Sequence, residues 1–216
     1  MVTVAFPTAN TQRANATLAR WRAMGYASMV LIDAGMERPR AGRVIEADPY
    51  PGFAAAANIL CHQSGADWTV VAGDDIDPDP RLTPDEIAHQ LRQHFGGTFG
   101  VCQPTGDAYG ALAPNAPHPA AVSPWIGREF IQRAYGGLGP YWTSYRHLFA
   151  DTELYSVAQR MGVLLLRPDI TQYHAHWGRG HEDTLPVAKR RRISESQRLD
   201  MELYEQRKAQ GFPGAI

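Results

Sequence analysis

A chain of 216 residues with 44% hydrophobic content can bury a core of its own, as one large domain or one domain with a long appendage. Charged residues make up 20% and the formal net charge is -1, which excludes global disorder and a globally basic nucleic-acid binder, so an anionic partner must be held locally. Cys61 and Cys102 lack zinc-knuckle or redox spacing, no apolar run approaches a membrane span, and the N-terminus carries no secretory signal, so the expectation is a cytoplasmic protein with no membrane partner.

In chain order, strands alternate with helices. Residues 2–6 form a short apolar strand ending in Pro7-Thr8-Ala9-Asn10. Residues 13–24 then carry Ala14, Leu18 and Trp21 at helical spacing until Gly25 stops them. A second strand, 28–32, ends at Asp33, and a small-residue helix over 53–62 feeds a strand over 68–72. That strand empties into Asp74, Asp75, Asp77 and Asp79 with no Lys or Arg before Arg81. Carboxylates this close raise one another's pKa unless a metal or hydrogen-bond donors neutralise them, so the cluster reads as a ligand site; the alternative is an Asp/Pro surface turn.

Beyond it, Thr83-Pro84-Asp85-Glu86 is a capping box opening a helix with Ile87, Leu91 and Phe95 on its apolar face. Residues 99–102 read as a further strand, 106–124 as a long functional loop, 129–135 and 151–161 as helices, and 163–166 as a strand. The alternation predicts an α/β fold with a mostly parallel, helix-covered sheet. Such a sheet brings Thr8, Asn10, Asp33, Asp74 and Asp75 to one edge, suited to a nucleotide whose diphosphate is bridged to carboxylate by a divalent metal. Neither a P-loop nor a Gly-x-Gly-x-x-Gly fingerprint is present.

These residues resemble the GT-A glycosyltransferases, specifically those like glycosyltransferase family 2, over residues 1–177 as an element-by-element pattern. Pro7-Thr8-Ala9-Asn10 is similar to the family's first turn, Asp33 to its base-recognising Asp, and Gly52-Phe-Ala-Ala-Ala56-Ala-Asn58 to its Gly-x-x-x-Ala-x-Asn helix. Asp74 and Asp75 stand as its Asp-x-Asp-like pair, with Gly73 at the first acidic position of the three-acid form, so Asp77 is a candidate to share the metal. Ser123 to Arg128 resembles the acceptor-side strand, and Gly136 to Trp142 the glycine-rich loop before the family's acidic pair. Ala150-Asp151 replaces the usual Glu-Asp, which implies Asp151 as general base, with Glu153 as rival and a plain helix cap as the alternative.

In Tyr173-His174-Ala175-His176-Trp177, an extended segment points both histidines to one face, about 7 Å apart. The family places a metal-ligating His after its last core strand, so His174 or His176 could complete a manganese or magnesium shell, packing being the alternative. From Gly178 the tail is locally basic, with Arg179 and the run Lys189 to Arg192, and 193–210 reads as a charged helix. The run is a solvated face, a clamp on the diphosphate, or a grip on phosphate-backboned acceptor. Trp125, Tyr141 and Trp142 are stacking platforms or core.

The resemblance implies a GT-A-like domain over 1–177 with a helical appendage over 178–216. It implies a metal-dependent, inverting transfer from a nucleotide sugar, UDP-linked by preference, held by Pro7, Thr8, Asn10, Asp33, Asn58, Asp74 and Trp142. Small soluble relatives of bacteria and phage include enzymes that glycosylate hydroxymethylated bases, which makes DNA a candidate acceptor; glycans, proteins and small molecules stay open. The rivals are a metal-dependent nucleotidyltransferase, which should carry a basic, glycine-rich first loop, and a non-catalytic nucleic-acid-binding module built on Lys189 to Arg192.

Overall fold

The first strand, β1 (Val2–Pro7), is buried on both faces over almost its whole length, as the centre of a parallel sheet requires. We describe a computed structural model covering residues 1–112, 116–176, 179 and 187–215, with residues 187–195 described by backbone alone. Asn10 then caps α1 (Thr11–Ala23), its side chain accepting the Arg13 N–H at 2.9 Å. Ala14, Thr17, Leu18 and Trp21 form the buried face of α1, and Gly25 at φ 91° turns the chain into β2 (Ala27–Asp33).

A strand that the hydrophobic pattern did not reveal follows. β3 (Arg43–Ala47) is an edge strand of mixed polarity pairing in parallel with β2, and its half-exposed side chains show no clean alternation. After α2 (Phe53–Ser64) come β4 (Trp68–Val71), the short β5 (Ile76–Asp77) and α3 (Pro84–Phe95), where both halves of the expected capping box form. The rest of the core comprises β6 (Val101–Pro104), β7 (Trp125–Gly127), α4 (Arg128–Arg133), α5 (Ala150–Arg160) and β8 (Leu164–Arg167). β9 (Tyr173–His174) and α6 (Val187–Ala209) complete the chain.

The expected mostly parallel sheet is present. Seven strands lie in the order β3-β2-β1-β4-β7-β6-β8, parallel throughout except that β7 runs against both of its neighbours. From β1 the chain winds outward through β2 and β3, then returns to build β4 on the other side of β1. The direction of winding therefore switches between β1 and β4, and a crevice opens beyond their carboxyl ends. A separate two-stranded ribbon, β5 with β9, sits at that end and pairs Ile76 with His174 and Asp77 with Tyr173.

The helix expected from residue 193 begins at 187 and is fastened to the body. Tyr204 packs in one core cluster with Ala150, Leu154 and Val157 of α5, joined by Phe212 and Ala215 beyond the helix. Asp200, almost fully buried, accepts the backbone N–H groups of Arg146, His147 and Leu148, each at 2.9 Å.

Candidate functional site

The switch point is closed by side chains from four parts of the chain. Thr8, just beyond β1, donates its hydroxyl to Asp74 Oδ2 at 2.6 Å, joining the ends of the two strands between which the winding reverses. α1 clamps the acidic turn from the other side: Thr17 donates to the Asp74 carbonyl at 2.6 Å, and Trp21 Nε1 to the Ile76 carbonyl at 2.8 Å. Residues 13, 17, 20 and 21 share one helix face by their spacing, so one stripe of α1 reads the whole turn.

That stripe also supplies basic partners that the local sequence lacks, which corrects the expectation of four carboxylates without a nearby cation. Arg13 Nη2 lies 2.6 Å from Asp74 Oδ1 and 3.2 Å from Asp75 Oδ2, and its Nε 2.8 Å from Asp74 Oδ1. Asp77 bonds to Arg20 Nε at 2.5 Å. Asp79 is buried, holds Arg81 and accepts the Thr171 N–H at 2.7 Å; the Arg81 bonds, outweighing burial, lower its pKa to about 2. Of the four carboxylates, Asp74 and Asp75 share Arg13, whereas Asp77 bonds Arg20 and Asp79 bonds Arg81 and the Thr171 N–H.

The two adjacent carboxylates are not equivalent. Burial raises the pKa of Asp74, and Thr8 and Arg13 only partly oppose it. Burial also pushes Asp75 upward, but the His174 hydrogen bond and the charges of His174 and Arg13 bring it below the usual carboxylate value. Gly73 has a local reason as well: a Cβ there would stand 2.5 Å from Asp75 Oδ1, so any side chain would displace that carboxylate.

His174 Nε2 approaches Asp75 Oδ2 at 3.3 Å, whereas His176 Nδ1 lies 3.3 Å from the Tyr109 hydroxyl. The two rings meet edge to face with centroids 5.1 Å apart, but His174 is the one at the carboxylate pair. Around them the long loop and the start of the tail meet. Arg179 lies over the rings of Tyr109 at 4.1 Å and Tyr173 at 4.8 Å and bonds Asp107 Oδ1 at 2.8 Å, while Asp107 Oδ2 accepts the His174 N–H at 3.2 Å. Asp107 and Tyr109 escaped the sequence reading because only their loop, not their partners, was legible.

Two carboxylates and an imidazole are donors of the kind a manganese or magnesium ion accepts. Their present arrangement is not a metal cage: among the described residues no group of three or more His, Cys, Asp or Glu side chains is placed to hold an ion. A guanidinium stands between the two carboxylates instead.

The other expected site residues spread along the same end of the sheet and beyond it. Pro7 closes β1 in register with Leu31, and Asn10 spends its side chain on the α1 cap. Asp33 ends β2 half-buried, and the neighbouring Tyr50 hydroxyl has its pKa raised by burial and by the charge of Asp33. Asn58 is buried and clasps the backbone of Tyr141, donating to its carbonyl at 2.8 Å and accepting its N–H at 3.0 Å. Gly139, at φ 118°, passes so close that a Cβ would meet Asn58 at 2.6 Å. Asn58 therefore shapes the glycine-rich loop. Trp125 and Tyr141 are core residues, and Trp142 is partly buried with Arg207 stacked 4.0 Å from its ring.

Asp151 lies in the first turn of α5, accepts the Thr152 N–H at 2.9 Å, and has its pKa raised by burial. Glu153 is fully buried and saturated: it accepts the hydroxyls of Tyr135 at 2.5 Å and Tyr145 at 2.7 Å and pairs with Arg207 at 2.7 Å. A carboxylate so occupied serves as a structural anchor. Of the basic run Lys189 to Arg192, the side chains lie outside the described residues.

No protein-family model matches the chain, and no curated protein matches it in sequence. Solved structures match it in fold. The mannosyltransferase PcManGT from Pyrobaculum calidifontis, in complex with GDP-Man and Mn2+, superposes at TM-score 0.57 with 16% identity, over 81% of this chain and 57% of that one. TarS 1-349 from S. aureus, in complex with UDP, gives 0.58 with 11% identity, over 81% and 60%. A Bacillus anthracis protein assigned by name to the glucose-1-phosphate thymidylyltransferases gives 0.51 with 11% identity, over 81% and 90%. The chain has the GT-A-like fold that these structures share, an α/β architecture with a seven-stranded, mostly parallel sheet. It spans 57% and 60% of the first two of these structures.

Proposed function

We propose that the protein is a glycosyltransferase that takes its sugar from a nucleotide-sugar donor bound across the switch point of its GT-A sheet. The observation that carries this is the Thr8 to Asp74 bridge between the ends of β1 and β4, with Asp75 beside it and Asp33 ending the adjacent strand. In this reading Asp33 and Tyr50 receive the base, and the loop carrying Asp107 and Tyr109, tied to His174 and His176, covers the diphosphate and sugar. A divalent cation, when bound at Asp74, Asp75 and His174, would stabilise charge on the departing diphosphate. Asp151 removes the proton of the acceptor hydroxyl as its oxygen attacks the anomeric carbon with inversion. Burial suits it to that role, since a carboxylate with a raised pKa is a stronger proton acceptor.

Titration of the protein with UDP, GDP, CDP and dTDP, with and without manganese, tests the donor site. One nucleotide should bind preferentially, Asp33→Ala should erase the preference, and Asp75→Asn should remove the manganese-dependent part of the affinity. Binding of none of the four would overturn the reading. Release of pyrophosphate from a nucleoside triphosphate and a sugar phosphate would move the protein to the nucleotidyltransferases, although Pro7-Thr8-Ala9-Asn10 is not the basic, glycine-rich loop such enzymes need. A hydroxymethylated base in DNA as acceptor rests on the resemblance to small bacterial and phage enzymes and on the charge of Lys189 to Arg192. Sugar transfer to modified DNA, lost when all four are neutralised, is its check.

A further inference from the structure

Arg13 occupies the position that a cation shared by Asp74 and Asp75 would take. Its guanidinium reaches both carboxylates, at 2.6 Å and 3.2 Å, with 27% of its side chain exposed against 15% and 19% for the two aspartates. His174 approaches the same Asp75 oxygen, Oδ2, that Arg13 bonds. Each group is anchored by contacts besides these ion pairs. Thr8 and Thr17 fix Asp74, the Asn10 cap fixes the backbone of Arg13, and pairing of β9 with β5 fixes His174. A guanidinium and a divalent ion cannot use the same carboxylate lone pairs at once, and two positive charges at this range repel strongly. The partly exposed Arg13 side chain is long enough to swing aside, but leaving both carboxylates is unfavourable unless another anion receives it.

We propose that Arg13 is a built-in counter-cation that a divalent metal must displace from Asp74 and Asp75, the released guanidinium passing to the diphosphate of the incoming nucleotide. Metal and nucleoside diphosphate then bind each other's complexes more tightly than either binds the free protein, a coupling that is reciprocal by linkage. The inference deepens the donor-site reading and rests on it for the identity of the anion, not for the competition between the two cations. It also accounts for the absence of a ready-made cage among the described residues: an arginine completes the pair until metal and donor arrive together.

The test is manganese binding, read by electron paramagnetic resonance of the free ion, in the wild type, Arg13→Gln and Arg13→Gln/Asp75→Asn, without nucleotide and with UDP or GDP. Arg13→Gln should bind manganese alone about tenfold or more tighter than the wild type, the low end of what one unit charge at this range does to a competing cation. The double variant should lose the gain, and the nucleotide should enhance metal binding less in Arg13→Gln than in the wild type. Equal manganese affinity in wild type and Arg13→Gln would overturn the proposal. Should Arg13→Gln fail to fold by circular dichroism, Arg13→Met, which keeps the apolar stem and carries no charge, takes its place and should show the same gain; no gain there would overturn the proposal too. A metal gain with no nucleotide binding would sink the donor reading and leave the counter-cation standing, whereas nucleotide binding with no metal gain would do the reverse.

Discussion

Asp74 and Asp75 are neighbours in sequence with opposite pKa shifts, because each answers to different partners: Asp74 is ruled by burial, Asp75 by His174 and Arg13 acting against burial. Gly73 permits that division by leaving room for the Asp75 carboxylate to fold back. At the proposed catalytic position, Asp151→Asn should retain nucleotide binding and lose sugar transfer by roughly 100-fold or more, the scale at which general bases matter. The sign of the pH dependence follows from the raised pKa. Only the ionised form accepts a proton, so wild-type turnover should fall with decreasing pH through a midpoint above the ordinary carboxylate range. A pH profile of kcat checks this, and wild-type turnover in Asp151→Asn would remove Asp151 from the chemistry.

Among the elements, α1 and α6 do the positioning. α1 was legible as a helix from Ala14, Leu18 and Trp21, but the role of its Arg13, Thr17 and Arg20 was not, because their partners lie in a turn about sixty residues later. α6 holds the segment that carries Trp142 and Asp151 through the buried pair of Arg207 with Glu153. Removing one member of such a pair leaves a charge buried without compensation. Arg207→Ala should therefore destabilise the fold by about 3–5 kcal/mol in denaturant unfolding, and Glu153→Gln added to it should restore part of the loss. A change under about 1 kcal/mol, the worth of an exposed ion pair, would show that water reaches the pair.

For the molecule as a whole, the question is whether 178–216 is an appendage or part of the body. Tyr204, Phe212 and Ala215 share a core with α5, and Asp200 caps the segment entering it. A chain ending at residue 186 should lose its cooperative thermal transition, since it would expose that apolar surface and strand Glu153. An unchanged midpoint would show 178–216 to be an appendage.

What the sequence determined by itself was everything with a local cause. The alternation of strands and helices, the Thr83 capping box, Gly25 as a helix stop and the carboxylates at strand ends all follow from residues within a turn or two of one another. The edge strand β3 was lost because half-exposed residues of mixed polarity carry no period to read. Tertiary structure alone decided which cation meets which carboxylate: Arg13 reaches Asp74 across 61 residues, His174 reaches Asp75 across 99, and Arg207 reaches Glu153 across 54. A carboxylate in a sequence announces only that a partner is needed. Which partner comes is settled when the winding of the sheet brings remote strand ends and helix faces within about 3 Å, the range at which a charged hydrogen bond forms.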